Sequence, residues 1–140
     1  MSSTPAVAVA ATFVWLGMVI AISFLEAPLK FRAPGVTIPL GLGIGRLVFR
    51  ALNSCEVVLA VVLVLTMVIG GPPAAAVSAI ALATVILLAQ LVLVRPRLSR
   101  RTDAVLAGAE APPSRAHLAY VALELIKVIA LLVGGIALLA

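Results

Sequence analysis

Charge is scarce in this sequence. Of its 140 residues only 11% are Asp, Glu, Lys or Arg and 64% are hydrophobic, whereas soluble domains are about half apolar and about a quarter charged. The sole cysteine, Cys55, leaves no intramolecular disulfide and no Cys-cluster metal site, and it carries no signal of redox compartment. It reads as a small packing residue within a helix. The sole histidine, His117, cannot supply both ligands of a bis-histidine haem, and Met18 and Met67 fall in no copper-binding pattern. Nothing marks an activated nucleophile. The sequence therefore points away from an enzyme, with no catalytic residue, metal or cofactor expected.

What the sequence has in abundance is long apolar runs. Four of them cover more than half the chain, each near the roughly 20 residues that cross a hydrocarbon core of about 30 Å at about 1.5 Å per residue. They predict an all-α fold, a bundle of four transmembrane helices over about 6–25, 40–69, 74–94 and 115–139. Charged loops are expected at about 26–39 and 95–114. No polar stretch is long enough for a second unit, so residues 1–140 read as a single transmembrane domain. The first run lacks the leading Lys or Arg of a secretory signal and is read as a helix of the mature protein. Pro28 is expected to end it, because proline removes a helix hydrogen bond and clashes with the preceding turn. Gly70-Gly71-Pro72-Pro73 makes a tight hairpin between the second and third helices. Residues 99–108 read as a short surface helix before Pro112-Pro113, and Ser114 as the N-cap of the fourth helix.

The basic residues give orientation. Nine of the ten Lys and Arg side chains, all but Lys127, lie in or beside the two connections that face one side. The positive-inside rule places that side in the cytoplasm and both termini outside, as in a multi-pass protein of the bacterial inner membrane. The excess of positive charge is thereby explained without nucleic acid as a partner.

Ionisable groups inside hydrocarbon cost at least a few kcal/mol each, so those that remain are the first candidates for function. Arg46, Arg50, Asn53 and Glu56 follow one another at spacings of four, three and three, along one face of the second helix. His117, Tyr120, Glu124 and Lys127 do the same on the fourth. Glu56 and Lys127 fall at matching depth and are expected to pair, with Glu124 one turn nearer the cytoplasm, beside Lys127 or Arg50. The stripes fit a basic vestibule that binds a solute, and they fit equally the polar contacts that hold membrane helices together. Glu26, Lys30 and Arg32 are expected at the interface, their long stems snorkelling toward headgroups, or as a gate opposite Arg46 and Arg50. Arg95 and Arg97, with Arg100, Arg101 and Arg115, are expected to contact anionic lipid headgroups of the bilayer. Gly41, Gly43 and Gly45 match no phosphate-binding fingerprint and read as places of close helix approach.

Pro28 and Glu56 are separated by the same interval as Pro96 and Glu124, and the same offset superimposes Arg32 on Arg100. This suggests two related helical hairpins in parallel. The segments Phe24-Leu-Glu-Ala-Pro-Leu-Lys-Phe-Arg32, Gly43-Ile-Gly-Arg-Leu-Val-Phe49 and Arg115-Ala-His-Leu118 resemble small bacterial four-helix membrane proteins, mostly of unknown function. There is a fainter likeness to a four-helix family that includes eukaryotic proteins associated with drug tolerance. The resemblance implies the architecture and transfers no activity.

Two functions fit: a small transporter or channel for a polar or anionic solute, as a homo-oligomer, or a non-catalytic accessory subunit of a larger membrane complex. The topology itself is testable. A reporter enzyme active only in the cytoplasm is expected to stay inactive when fused after Ala140, and activity there would reverse the orientation.

Overall fold

The computed structural model describes residues 2–110 and 114–140; the expected Pro112-Pro113 stop lies outside them. The described residues form four long helices and no strand. We label them α1 (Ser3–Arg32), α2 (Ile38–Gly70), α3 (Ala74–Leu106) and α4 (Arg115–Leu139). Each is long and apolar enough to cross a membrane, the set of elements a multi-pass membrane protein carries.

Two of the four run further than the prolines led us to expect. α1 continues through Pro28 to Arg32, so only residues 33–37 remain as a connection, and α3 continues through Pro96 to Leu106 in place of a loop followed by a separate surface helix. The physical reason is the same in both. Ile20–Glu26 and Gln90–Val94 are wound as π-helix. A proline ring would collide with the carbonyl four residues earlier. For Pro28 and Pro96 that carbonyl belongs to Phe24 and Val92, both inside the widened turns, where i→i+5 bonding turns it aside. The wide turn and its proline thus recur at corresponding places in both hairpins. Pro28 and Pro96, which the matched intervals to Glu56 and Glu124 set in register, share the same local geometry.

The other helix ends follow their sequence signals. Thr37 Oγ1 accepts from the Leu40 N–H at 3.3 Å at the start of α2, and Ser114 Oγ accepts from the His117 N–H at 3.4 Å at the start of α4. Gly71 closes α2 in the left-handed region, with φ of 53°, where glycine carries no Cβ penalty.

α1 packs along α2 and α4, and α3 packs most extensively along α4. Of the neighbouring pairs α2 and α3 meet least, mainly where the Arg95–Leu106 turns pass α2. α2 and α4 therefore stand across the bundle from each other, with α1 between them on one side. Trp15, Val19, Leu63, Ala83, Leu87 and Leu131 fill the apolar core. The outer surface is apolar too: Val58, Val68, Val92 and Leu118 are each more than 60% exposed. A bundle whose outer surface is apolar along much of its length suits a lipid surround, where burial in protein and exposure to hydrocarbon are close to equivalent. Cys55 belongs to this outer surface, so it does not pack within the bundle as its sequence context suggested.

Between helices that lipid surrounds the hydrophobic gain is small, and close backbone approach is what supplies cohesion. A Cβ at Gly134 would come within 2.9 Å of Ile80 and 3.3 Å of Ala79, and one at Gly135 within 2.6 Å of the Phe13 ring. These two positions set how closely α4 approaches α3 and α1. Gly134→Val is expected to lower stability by about 1–3 kcal/mol through overpacking, read by unfolding in detergent. Gly43→Ala, where an added Cβ meets nothing within 4 Å, serves as the comparison; losses of equal size at both would refute this account of α4 packing.

Candidate functional site

The middle of the bundle holds three charges. Lys127, on α4, donates from Nζ to Glu56 Oε2 on α2 at 2.5 Å and to Gln90 Oε1 on α3 at 2.7 Å. Its ammonium also lies 2.5 Å from Glu124 Oε1, one turn back on its own helix. Glu56, Glu124, Lys127 and Gln90 are each no more than 1% exposed. The two carboxylates have further donors: Trp15 Nε1 donates to Glu56 Oε2 at 2.8 Å, Gln90 Nε2 donates to Glu124 Oε1 at 2.9 Å, and the Ser23 hydroxyl donates to Glu124 Oε2. Every helix contributes, so one ammonium ties together two helices that scarcely touch otherwise. Glu56 Oε1 is buried without a hydrogen-bond partner among the described residues.

The cluster is unbalanced. Two carboxylates face one ammonium, so the fully ionised set carries one net negative charge where no side chain reaches solvent. An uncompensated charge is far more costly in such surroundings than a neutral or paired one.

Next to this cluster lies a cavity of about 130 Å³, bounded by α1, α2, the end of α3 and the start of α4. Glu124 and Ser23 form one wall of it; Phe24, Phe31, Phe49 and Tyr120 supply apolar surface; Lys30, Arg95, Arg101 and His117 place cationic or titratable groups around it. The aromatic groups are ordered by the cations. Phe49 and Tyr120 meet edge to face, with ring centroids 5.6 Å apart. The Arg95 guanidinium stacks 5.1 Å from the first ring and 5.0 Å from the second, within the range of an effective cation–π contact. Arg95 Nη2 also donates to Tyr120 Oη at 3.4 Å.

Lys30 departs from expectation. Its side chain is only 10% exposed and pairs with Glu26 at 3.6 Å, and its ammonium lies 5.5 Å from the Phe31 ring and 5.9 Å from that of Phe49. It does not snorkel outward because Gly45 leaves room: a Cβ there would sit 2.9 Å from Lys30 Nζ. Gly41 does the same for the Phe31 ring. These glycines admit the end of α1 against α2 and thereby shape the cavity wall. Arg32 is exposed, as is Arg97.

The rest of the two stripes divides. Asn53 and Glu56 are buried, Arg46 is half-buried and ion-paired to Asp103 of α3, and Arg50 is exposed. On α4, Tyr120, Glu124 and Lys127 face inward while His117 is exposed at the first turn. Glu124 meets Lys127, and Arg50 takes no part in the cluster. Reasoning from ionisable groups alone passed over Trp15, Ser23 and Gln90. The signals were there to read: Trp15 is the only tryptophan, and Gln90 is the single polar residue of α3 between Thr84 and Arg95.

No known protein family, curated protein or solved structure matches the chain. The unbalanced charge of the cluster sets the cost of altering each of its members. Lys127→Met leaves two carboxylates facing each other and is expected to reduce unfolding free energy by about 3–5 kcal/mol. Glu56→Gln keeps the shape and removes the surplus negative charge, and should cost clearly less. Equal losses in a denaturant titration from mild detergent would show that charge balance does not govern the core.

Proposed function

We propose that this chain is a multi-pass protein of the bacterial inner membrane, with both termini outside, that carries a small organic anion across the membrane together with a proton. The observation that supports this reading most directly is the cavity that ends on Glu124. Its cationic groups, Lys30 and Arg95, suit a carboxylate, and its aromatic walls suit an apolar body. Its volume of about 130 Å³ is near that of an apolar protein cavity, about 150 Å³, that accepts benzene. The substrate class is accordingly a short or aromatic monocarboxylate. The positive-inside rule sets the mouth toward the cytoplasm.

Coupling follows from like-charge repulsion. An anion in this cavity shares a water-poor region with Glu124, and two negative charges at close range do not both persist there. The central cluster already has one carboxylate more than its ammonium balances. A proton arriving on the cluster removes that excess, frees Lys127 to serve a single carboxylate, and makes room electrostatically for the anion. Departure of one favours departure of the other. Four helices enclose little space, and a homo-oligomer would supply the second wall of a complete path.

The test is uptake of labelled benzoate and short-chain carboxylates into proteoliposomes. An imposed proton gradient should raise the initial rate several-fold, and Glu124→Gln should abolish that dependence while leaving the fold intact by its unfolding midpoint. Uptake equal to that of protein-free vesicles across the whole panel would sink the proposal in favour of an accessory role without transport.

A further inference from the structure

We propose that the groove between α2 and α3 is a binding site for one anionic phospholipid, its phosphate held by Arg50 and Arg95 and an acyl chain lying along the apolar continuation of the groove. This site shares only Arg95 with the cavity described above and does not depend on the transport reading.

α2 and α3 make the least extensive contact of the neighbouring pairs, and the gap between them is not closed by side chains. Toward the charged end it opens into a hollow of about 290 Å³ with Arg46, Arg50, Arg95, Asn53, Ser54 and Ser99 at its walls. Val57, which lines this hollow, also lines the next, an apolar trough of about 240 Å³ that continues past Val61, Val64 and Leu88. A polar, cationic head therefore runs into an apolar tail within one continuous groove.

The charges in the head are not matched from within. Arg46 has Asp103, but neither Arg50 nor Arg95 has an ion-pair partner among the described residues. Arg95 Nε is buried with no hydrogen-bond partner there, and so is Oδ1 of Asn53, a residue only 7% exposed. Buried polar atoms are nearly always satisfied, and each exception calls for a partner. A phosphate diester offers acceptors to the two guanidinium groups. Asn53 lies one turn deeper than Arg50, at the level of the glycerol esters, and rotating its amide turns a donor toward them.

Length fits as well. Arg50 to Val64 spans about 21 Å of helix, against about 15 Å for half the hydrocarbon core, which accommodates one chain of one leaflet and its glycerol. A soluble anion would satisfy the head and leave the trough bare. Val57, Val61, Val64 and Leu88 are all exposed, so the groove opens sideways, where lipid would lie.

Native mass spectrometry of the full chain in mild detergent tests this, with phosphatidylglycerol and phosphatidylcholine of identical chains as probes. One phosphatidylglycerol should bind at least about fivefold more tightly than phosphatidylcholine, and Arg50→Gln should remove about fivefold of that affinity, the worth of one basic contact near a membrane surface. Val61→Trp fills the trough without altering charge and should weaken binding too. Arg97→Gln, exposed but outside the groove, should change nothing, and millimolar inorganic phosphate should not displace the lipid. Equal affinity for the two lipids, equal effects of Arg50→Gln and Arg97→Gln, displacement by phosphate, or a stable dimer that excludes lipid would each overturn the assignment.

Discussion

The structure turns on one ammonium group. Lys127 holds Glu56 of α2, Glu124 of α4 and Gln90 of α3 at once, and Trp15 and Ser23 bring α1 into the same set of bonds. In a bundle whose outer surface carries large apolar side chains as its core does, hydrophobicity does little to decide which face of a helix turns inward. Directional polar contacts decide it, because in a membrane a stripe turned outward would leave its charges in hydrocarbon. The centre therefore fixes helix rotation, and the small residues around it fix helix separation. Gly134 and Gly135 bring α4 close at one end, and Gly41 and Gly45 bring α1 close at the other.

Much of this is written in spacing. Four apolar runs of the right length, one lysine out of step with the rest of the basic residues, and two polar stripes at helical intervals are enough to anticipate four long helices and the meeting of Glu56 with Lys127. The Ser114 cap is equally local and equally readable. What escaped was everything that depends on exceptions. Pro28 and Pro96 are ordinary helix stops unless the turn before them widens, and nothing in Ile20–Glu26 or Gln90–Val94 announces a π-helix. Lys30 carries the sequence signature of a snorkelling side chain, and only the room over Gly45 on another helix turns it inward. Gln90 and Ser23 were passed over because neutral polar groups in a membrane helix look inert until a carboxylate is found beside them.

The two wide turns occupy matching places in the two hairpins. In each hairpin the first helix loosens one turn before its proline and then continues into the charged end of the bundle, while the second helix carries a carboxylate at the same interval. The hairpins differ in what surrounds that carboxylate. Glu56 faces the indole of Trp15, and Glu124 faces a serine, an amide and the cavity. Lys127 has no basic counterpart in the first hairpin, where the corresponding position is Leu59. Two similar halves thus produce an asymmetric centre, with an odd number of charges and a single side open to the cavity.

That asymmetry also places the chain's one indole in a telling position. Trp15 is fully buried and its N–H points at the carboxylate that carries the shared ammonium. The excited indole is sensitive to the electric field along its long axis, so any gain or loss of charge on Glu56, or any rotation of α1 against α2, alters its emission without a label. The protein carries an optical gauge at its own electrostatic centre.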